Sequence, residues 1–166
     1  MSWDDGIEVL SGTPAWVSLA ARCDIETANR LVQFLRGVRD PTIPEAYREA
    51  LVAAFREILL NAMEHGGQFD PSHYVELSFI RSSRAVAMRV KDPGQGFSLE
   101  ELRYAVNNPA DDIFRHVSVR EAHGLRPGGF GLLLANKLVD DLIYNEKGNE
   151  VLLIKYINPL TPPIGR

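Results

Sequence analysis

Apolar positions along the chain change their period in a fixed order. Ile7 to Leu10 and Ala15 to Ala21 read as short strands parted by a Ser11-Gly12-Thr13-Pro14 turn. Val17, Leu19 and Ala21 alternate with Ser18, Ala20 and Arg22, the two-residue period of a strand with one buried face. From Ile25 to Val38 the spacing turns helical, with Ala28, Leu31, Val32 and Leu35 inward and Asp24 placed to cap the start. A turn over Asp40-Pro41-Thr42-Ile43-Pro44 follows. Thr42 and Glu45 have capping-box spacing and predict a central helix from about Pro44 to His65. Its apolar stripe is Leu51, Val52, Phe55, Ile58, Leu59 and Ala62, and Gly66-Gly67 stops it. Tyr74 to Ile80 and Ala85 to Val90 predict a strand pair around Arg81-Ser82-Ser83-Arg84, with Val86, Met88 and Val90 on the buried face. Ser98 and Glu101 form a second capping box, for a helix from about Leu99. Gly128-Gly129-Phe130-Gly131 opens a helix from Leu132 to Val139. Asp140 to Tyr144 and Glu150 to Tyr156 close the pattern as a strand pair around Glu146-Lys147-Gly148-Asn149.

Composition narrows the class. The chain has 166 residues, 45% hydrophobic and 24% charged, which suits one soluble domain with a sizeable core. The net charge of −4 argues against a broad nucleic-acid footprint. A single cysteine, Cys23, excludes an intrachain disulfide and a cysteine zinc site, and reads as an inert small side chain. No apolar run reaches the ~20 residues of a membrane span, and the acidic start Met1-Ser2-Trp3-Asp4-Asp5 lacks a signal-peptide pattern. A cytoplasmic protein is the expectation, with one domain over residues 1–158 and a loose tail, rich in Pro and Gly, over residues 159–166.

Three clusters carry candidate chemistry. Glu57 and Asn61 lie one turn apart on the central helix, so a carboxylate and a carboxamide project on one face beside the core. Taken alone, that face reads equally well as solvated surface. Asp92-Pro93-Gly94-Gln95-Gly96-Phe97 ends a strand. An ionised Asp is acceptor-only, suited to a ring edge bearing an amine, and the glycines let a flat ligand approach the backbone; an ordinary turn is the alternative. Gly128 to Gly131 at a helix start offers unpaired N–H groups and the positive end of the helix dipole to a phosphate, or is simply a loop end. The stretch from Asn107 to Pro127 is long for a connection and reads as a lid.

In this order the clusters resemble the GHKL (Bergerat-fold) ATP-binding family, which includes gyrase, MutL and the histidine kinases. The family's asparagine box is similar to Glu57-x-x-x-Asn61-Ala62-x-x-His65-Gly66. Its first glycine box is similar to Asp92-x-Gly94-x-Gly96-Phe97, and its second to Gly129-Phe130-Gly131-Leu132. The wording most resembles the anti-sigma-factor serine/threonine kinase branch, over about Ile7 to Tyr156.

The resemblance implies an α/β fold, a two-layer sandwich of a mixed sheet with helices on one face. It implies ATP and magnesium as cofactors, with Glu57 as general base or water-positioning group and Asn61 as magnesium ligand. Asp92 would take the adenine amine, Gly94 and Gly96 would give adenine and sugar close backbone access, and Gly129, Phe130 and Gly131 would cradle the phosphates. The implied partners are an anti-anti-sigma-type protein, a sigma factor or both, with no nucleic acid and no membrane; members of this branch often form homodimers, and whether this chain does stays open. Two other functions stay open: a nucleotide-gated switch with little turnover, and a detached ATPase domain of a larger machine. Some features depart from neighbouring branches. No P-loop lysine motif occurs, and there is no upstream helical hairpin with a phospho-accepting histidine. His65, inside the asparagine box, is a poor phospho-acceptor. His73, His116 and His123 read as surface or lid residues, and Arg120 and Arg126 as lid charges within reach of phosphates.

Overall fold

The computed structural model describes residues 2–3, 6–13, 15–96 and 130–157. The elements are β1 (Ser2–Trp3), β2 (Ile7–Thr13), β3 (Trp16–Arg22), α1 (Ile25–Gly37), α2 (Glu45–Asn61), β4 (Tyr74–Arg81), β5 (Ala85–Lys91), α3 (Phe130–Leu138), β6 (Asp141–Tyr144) and β7 (Glu150–Tyr156). A π-helical turn, Ala62–Gly66, continues α2.

The strands form one sheet in the order β1-β2-β3-β4-β5-β7-β6. The helices cover one face, so the α/β two-layer sandwich is the expected one. The expected mixed sheet is corrected: every described strand pair is antiparallel. The reason is the connections. The α1–α2 pair links β3 to β4 as antiparallel neighbours, and the chain returns from α3 through β6 before β7 pairs with β5.

Alternation sets the faces. Leu19 and Ala21 of β3, Val75 and Leu77 of β4, Val86, Met88 and Val90 of β5, and Val151 and Leu153 of β7 are buried. They meet Leu31 and Val32 of α1, the α2 stripe from Leu51 to Leu59, and Leu132 and Ala135 of α3 in one core. The opposite face is mixed, with Tyr74, Ile80, Ile143 and Tyr156 exposed beside charged pairs. Arg89 bonds Glu150 at 2.6 Å and stands 3.7 Å from Glu76, which also takes Lys91 at 3.7 Å.

The helices begin for different reasons. Asp24 caps α1 as expected: its carboxylate accepts from the Thr27 N–H at 2.7 Å and the Thr27 hydroxyl at 3.0 Å. That arrangement contributes about 1 kcal/mol. The Thr42–Glu45 capping box does not form. Thr42 instead donates its N–H and hydroxyl to Asp40 and receives a bond from Arg81, while Pro44 starts α2 with no side-chain cap. Phe55, fully buried in mid-α2, packs its ring 5.5 Å from that of Phe79 on β4. Burying such a ring is worth roughly 1.5–3 kcal/mol.

Candidate functional site

The expected helix to His65 ends its α-helical part at Asn61. Beyond it the Gly67 N–H reaches back five residues to the Ala62 carbonyl (3.0 Å), and the Phe69 N–H bonds the Met63 carbonyl (2.8 Å). Ala62 and Met63 are buried and hold this wider turn on the core. A side chain at Gly66 would collide with the Asp92 carboxylate, and one at Gly67 with the Cys23 sulfur. The glycine pair therefore does more than end a helix. It lets the helix end lie directly on the end of β5. Gln68 and Phe69 then turn the chain away with left-handed φ values of 55° and 48°, a conformation uncommon for side chains of their size.

Asp92 follows the last residue of β5. Its N–H donates to the Asn149 carbonyl (2.9 Å) and its carbonyl accepts from Asn149 Nδ2 (3.3 Å). Its own Oδ1 accepts from the Gly94 N–H at 2.7 Å. Burial raises the Asp92 pKa above the usual carboxylate value, against the opposing pull of the Gly94 N–H and the charges of Lys147 and His65. A Cβ on Gly94 would lie 2.7 Å from the Gly66 Cα, and one on Gly96, at φ 79°, would run into the Lys147 carbonyl. Both glycines thus serve close approach, in each case to the protein's own backbone.

Glu57 and Asn61 are half-buried on α2. Glu57 Oε1 accepts from Arg56 Nη1 at 2.8 Å, and a Cβ on Gly131 would stand 2.6 Å from Glu57 Oε2. So Gly131, at the start of α3, is glycine where α3 passes the carboxylate. Asn61 and Asp92 line one cavity of ≈ 20 Å³ together with Tyr144 and Asn149. Burial, reinforced by the Asp92 charge, raises the Tyr144 pKa, so its hydroxyl stays protonated.

The structure thus gathers Asn61, Asp92 and Gly94 at the C-terminal end of α2, and sets Glu57, one turn back on the helix, against Gly131, with Gly96 two residues beyond Gly94 on the Asp92 loop. Phe130 opens α3. Gly129, Phe97 and the expected lid with His116, Arg120, His123 and Arg126 lie outside the described residues. His65 and Lys137 are exposed. His73 is exposed too, with a ring nitrogen 3.2 Å from the Gly67 carbonyl. Cys23 is fully buried, and burial, then the charges of Asp92, Asp24 and Asp70, push its thiol up to about 11. Both disfavour the thiolate, the reactive form of the side chain. Sequence reasoning missed Arg56, Tyr144, Asn145 and Asn149. The two asparagines flank the last hairpin turn, where carboxamides commonly bond nearby backbone; that spacing was the available signal.

Among the described residues no group of three or more His, Cys, Asp or Glu could hold a metal, and no helix is long and apolar enough to cross a membrane. Residues 20–155 match the histidine kinase-like ATPase domain family. Serine-protein kinase RsbW of Oceanobacillus iheyensis is 27% identical over 161 residues, 95% of this chain and 90% of the relative. The RsbW of Listeria monocytogenes serotype 4a is 28% identical over 111 residues, and this chain spans 66% of its length. An anti-sigma F factor of Anoxybacillus flavithermus is 27% identical over 123 residues, 74% of this chain and 75% of the relative.

Proposed function

Because the chain belongs to the histidine kinase-like ATPase domain family, we propose that it is a cytoplasmic, ATP-binding anti-sigma-type regulator that phosphorylates a serine or threonine of a partner. The observation that carries this reading is the meeting of three elements. The Asn61 carboxamide and the Asp92 carboxylate share one cavity, and Glu57 stands one turn back at the start of α3. The serine substrate and the sigma-factor ligand follow the names of the relatives, and an anti-anti-sigma-type protein as the phosphorylated partner follows the motif resemblance.

Asp92 accepts a hydrogen bond from the adenine amine, and its buried surroundings strengthen that bond. Gly94 and Gly96 shape the loop around it. The N-terminus of α3, which opens at Phe130 and Gly131, points the positive end of a helix at the phosphates. Asn61 supplies one hard oxygen. Magnesium keeps several waters and leans on substrate phosphates, so one protein oxygen from Asn61 would suffice to hold it, and it would supply charge neutralisation for the phosphates. Glu57 orients the partner's hydroxyl and takes its proton. That oxygen forms the new bond to the γ-phosphorus as the bond to the β-phosphate oxygen breaks, and ADP leaves.

The test is incubation with labelled ATP and magnesium, with and without a serine-bearing anti-anti-sigma protein. Label on the partner is the expected result. Normal nucleotide binding with no transfer would sink the kinase. One observation favours a second reading, a nucleotide-gated switch with little turnover: one Glu57 oxygen is already engaged by Arg56.

A further inference from the structure

We infer that the β6–β7 turn belongs to the nucleotide-reading machinery, with Asn149, braced by Asn145, as a positioning residue that aims Asp92 so that a 6-amino purine is told from a 6-oxo purine. The inference rests on the reading of Asp92 as the adenine acceptor and adds what makes that acceptor selective.

The β5–β7 ladder ends at the pair Lys91 and Glu150. Asp92 lies one residue beyond it, where a strand end loses its regular partners. Here one residue replaces them: Asn149 binds the Asp92 N–H with its carbonyl and the Asp92 carbonyl with its side chain. Asn149 is itself 7% exposed, so its carboxamide must find protein partners. Asn145 provides them. Its Nδ2 donates to Asn149 Oδ1 at 2.9 Å, and its Oδ1 accepts the N–H groups of Asn149 and Glu150, each at 3.1 Å. Only a carboxamide donates and accepts at this reach, so both positions need asparagine for the pattern to close. The turn supports the loop at a second point, since Gly96 packs on the Lys147 carbonyl.

Two facts separate this arrangement from a plain turn clasp. The Asn149 side chain lines the same cavity as Asn61 and Asp92. And the brace acts on the backbone of the very residue whose carboxylate meets the base. A site that reads an amine rejects the analogue lacking it only while the acceptor stays put. Freed at its carbonyl, Asp92 would leave the position that the 6-amino group requires, a loss that a 6-oxo purine does not share.

Calorimetric titration of the full chain with ADP and with inosine diphosphate tests this. The wild type should prefer ADP. Asn149→Ala should reduce the ADP-to-IDP affinity ratio by about tenfold, the equivalent of one buried hydrogen bond, chiefly through weaker ADP binding. Asn145→Ala, which leaves Asn149 in place, should reduce it less and in the same direction, and serves if Asn149→Ala does not fold. Equal weakening toward both nucleotides, or a lower melting temperature with the ratio intact, overturns the inference and leaves a purely structural role. A wild type that binds both nucleotides alike, or an Asp92→Asn chain that binds ADP as before, overturns the Asp92 reading and the inference with it.

Discussion

At its C-terminal end α2 meets β5 and the β6–β7 turn through glycines and hydrogen bonds, around a cavity of ≈ 20 Å³. At its N-terminal half the same helix stands with α1 over β2–β5 across a cavity of ≈ 880 Å³, walled by Val17, Leu31, Leu35, Val52 and Met88. Trp16, Phe34 and Ile80 leave apolar surface exposed at that end. The first end is specified atom by atom: a methyl on Gly66 has nowhere to go. The second is specified by hydrophobicity and approximate volume, and takes changes of shape. The same amphipathic helix serves both because Phe55 and the stripe around it anchor its middle, leaving one end free to be polar and exact in shape.

Four changes break or sharpen that contrast. The largest effect is at the anchor. Phe55→Ala removes a fully buried ring, and should cost about 3–5 kcal/mol in urea unfolding, lowering nucleotide affinity as well because both ends lose their common reference. Gly66→Ala comes next. Its methyl must displace the Asp92 carboxylate, so ADP affinity should fall about tenfold, or ~1.4 kcal/mol, by calorimetry, with a smaller loss of stability. Unchanged affinity would show that the helix end does not set Asp92. Val52→Ile adds a methylene at the wall of the large cavity. It should raise stability by about 0.8 kcal/mol and leave ADP affinity alone; destabilisation of comparable size would mean that this end is as tightly specified as the other.

The smallest effect is electrostatic and lies at the rim of the large cavity. The Thr42 hydroxyl and N–H, then Arg81, hold the Asp40 pKa at about 2. The folded-state value lies below the unfolded one of ~3.9, so the charged form favours folding. The contribution is complete above the ordinary carboxylate range and is lost as pH falls from about 4 toward 2. Asp40→Asn should remove that part of the acid-induced loss in urea midpoints and leave nucleotide binding unchanged. An identical pH profile in the variant counts against the Thr42–Arg81 arrangement.

Local patterns were legible in the sequence wherever one short-range rule decided the outcome. The alternation of Val86, Met88 and Val90 marked the buried face of β5, and Asp24 marked the start of α1. The three motifs marked Glu57, Asn61 and Asp92, which the fold sets on α2 and just past the end of β5. Competing partners were not legible. Thr42 has the spacing to cap α2, but Asp40 and Arg81, the latter 39 residues away, take its bonds. The sheet's antiparallel order could not follow from strand periodicity, which is blind to direction. Asn149 reads as a turn residue until strand pairing brings it to Asp92, 57 residues away in sequence.

The π-helical turn Ala62–Gly66 has a consequence in terms of chain length. Such a turn holds one residue more than an α-helical register would carry to the same point. Wound as α-helix with all five residues kept, this segment would carry Gly66 and Gly67 about 100° past this point, away from Asp92 and Cys23. The wider turn absorbs that extra residue. An in-frame deletion of one codon among Met63, Glu64 and His65 would let ordinary α-helical winding bring the glycines to the same contacts, whereas an insertion would not. At this point of the chain the winding and the number of residues compensate each other.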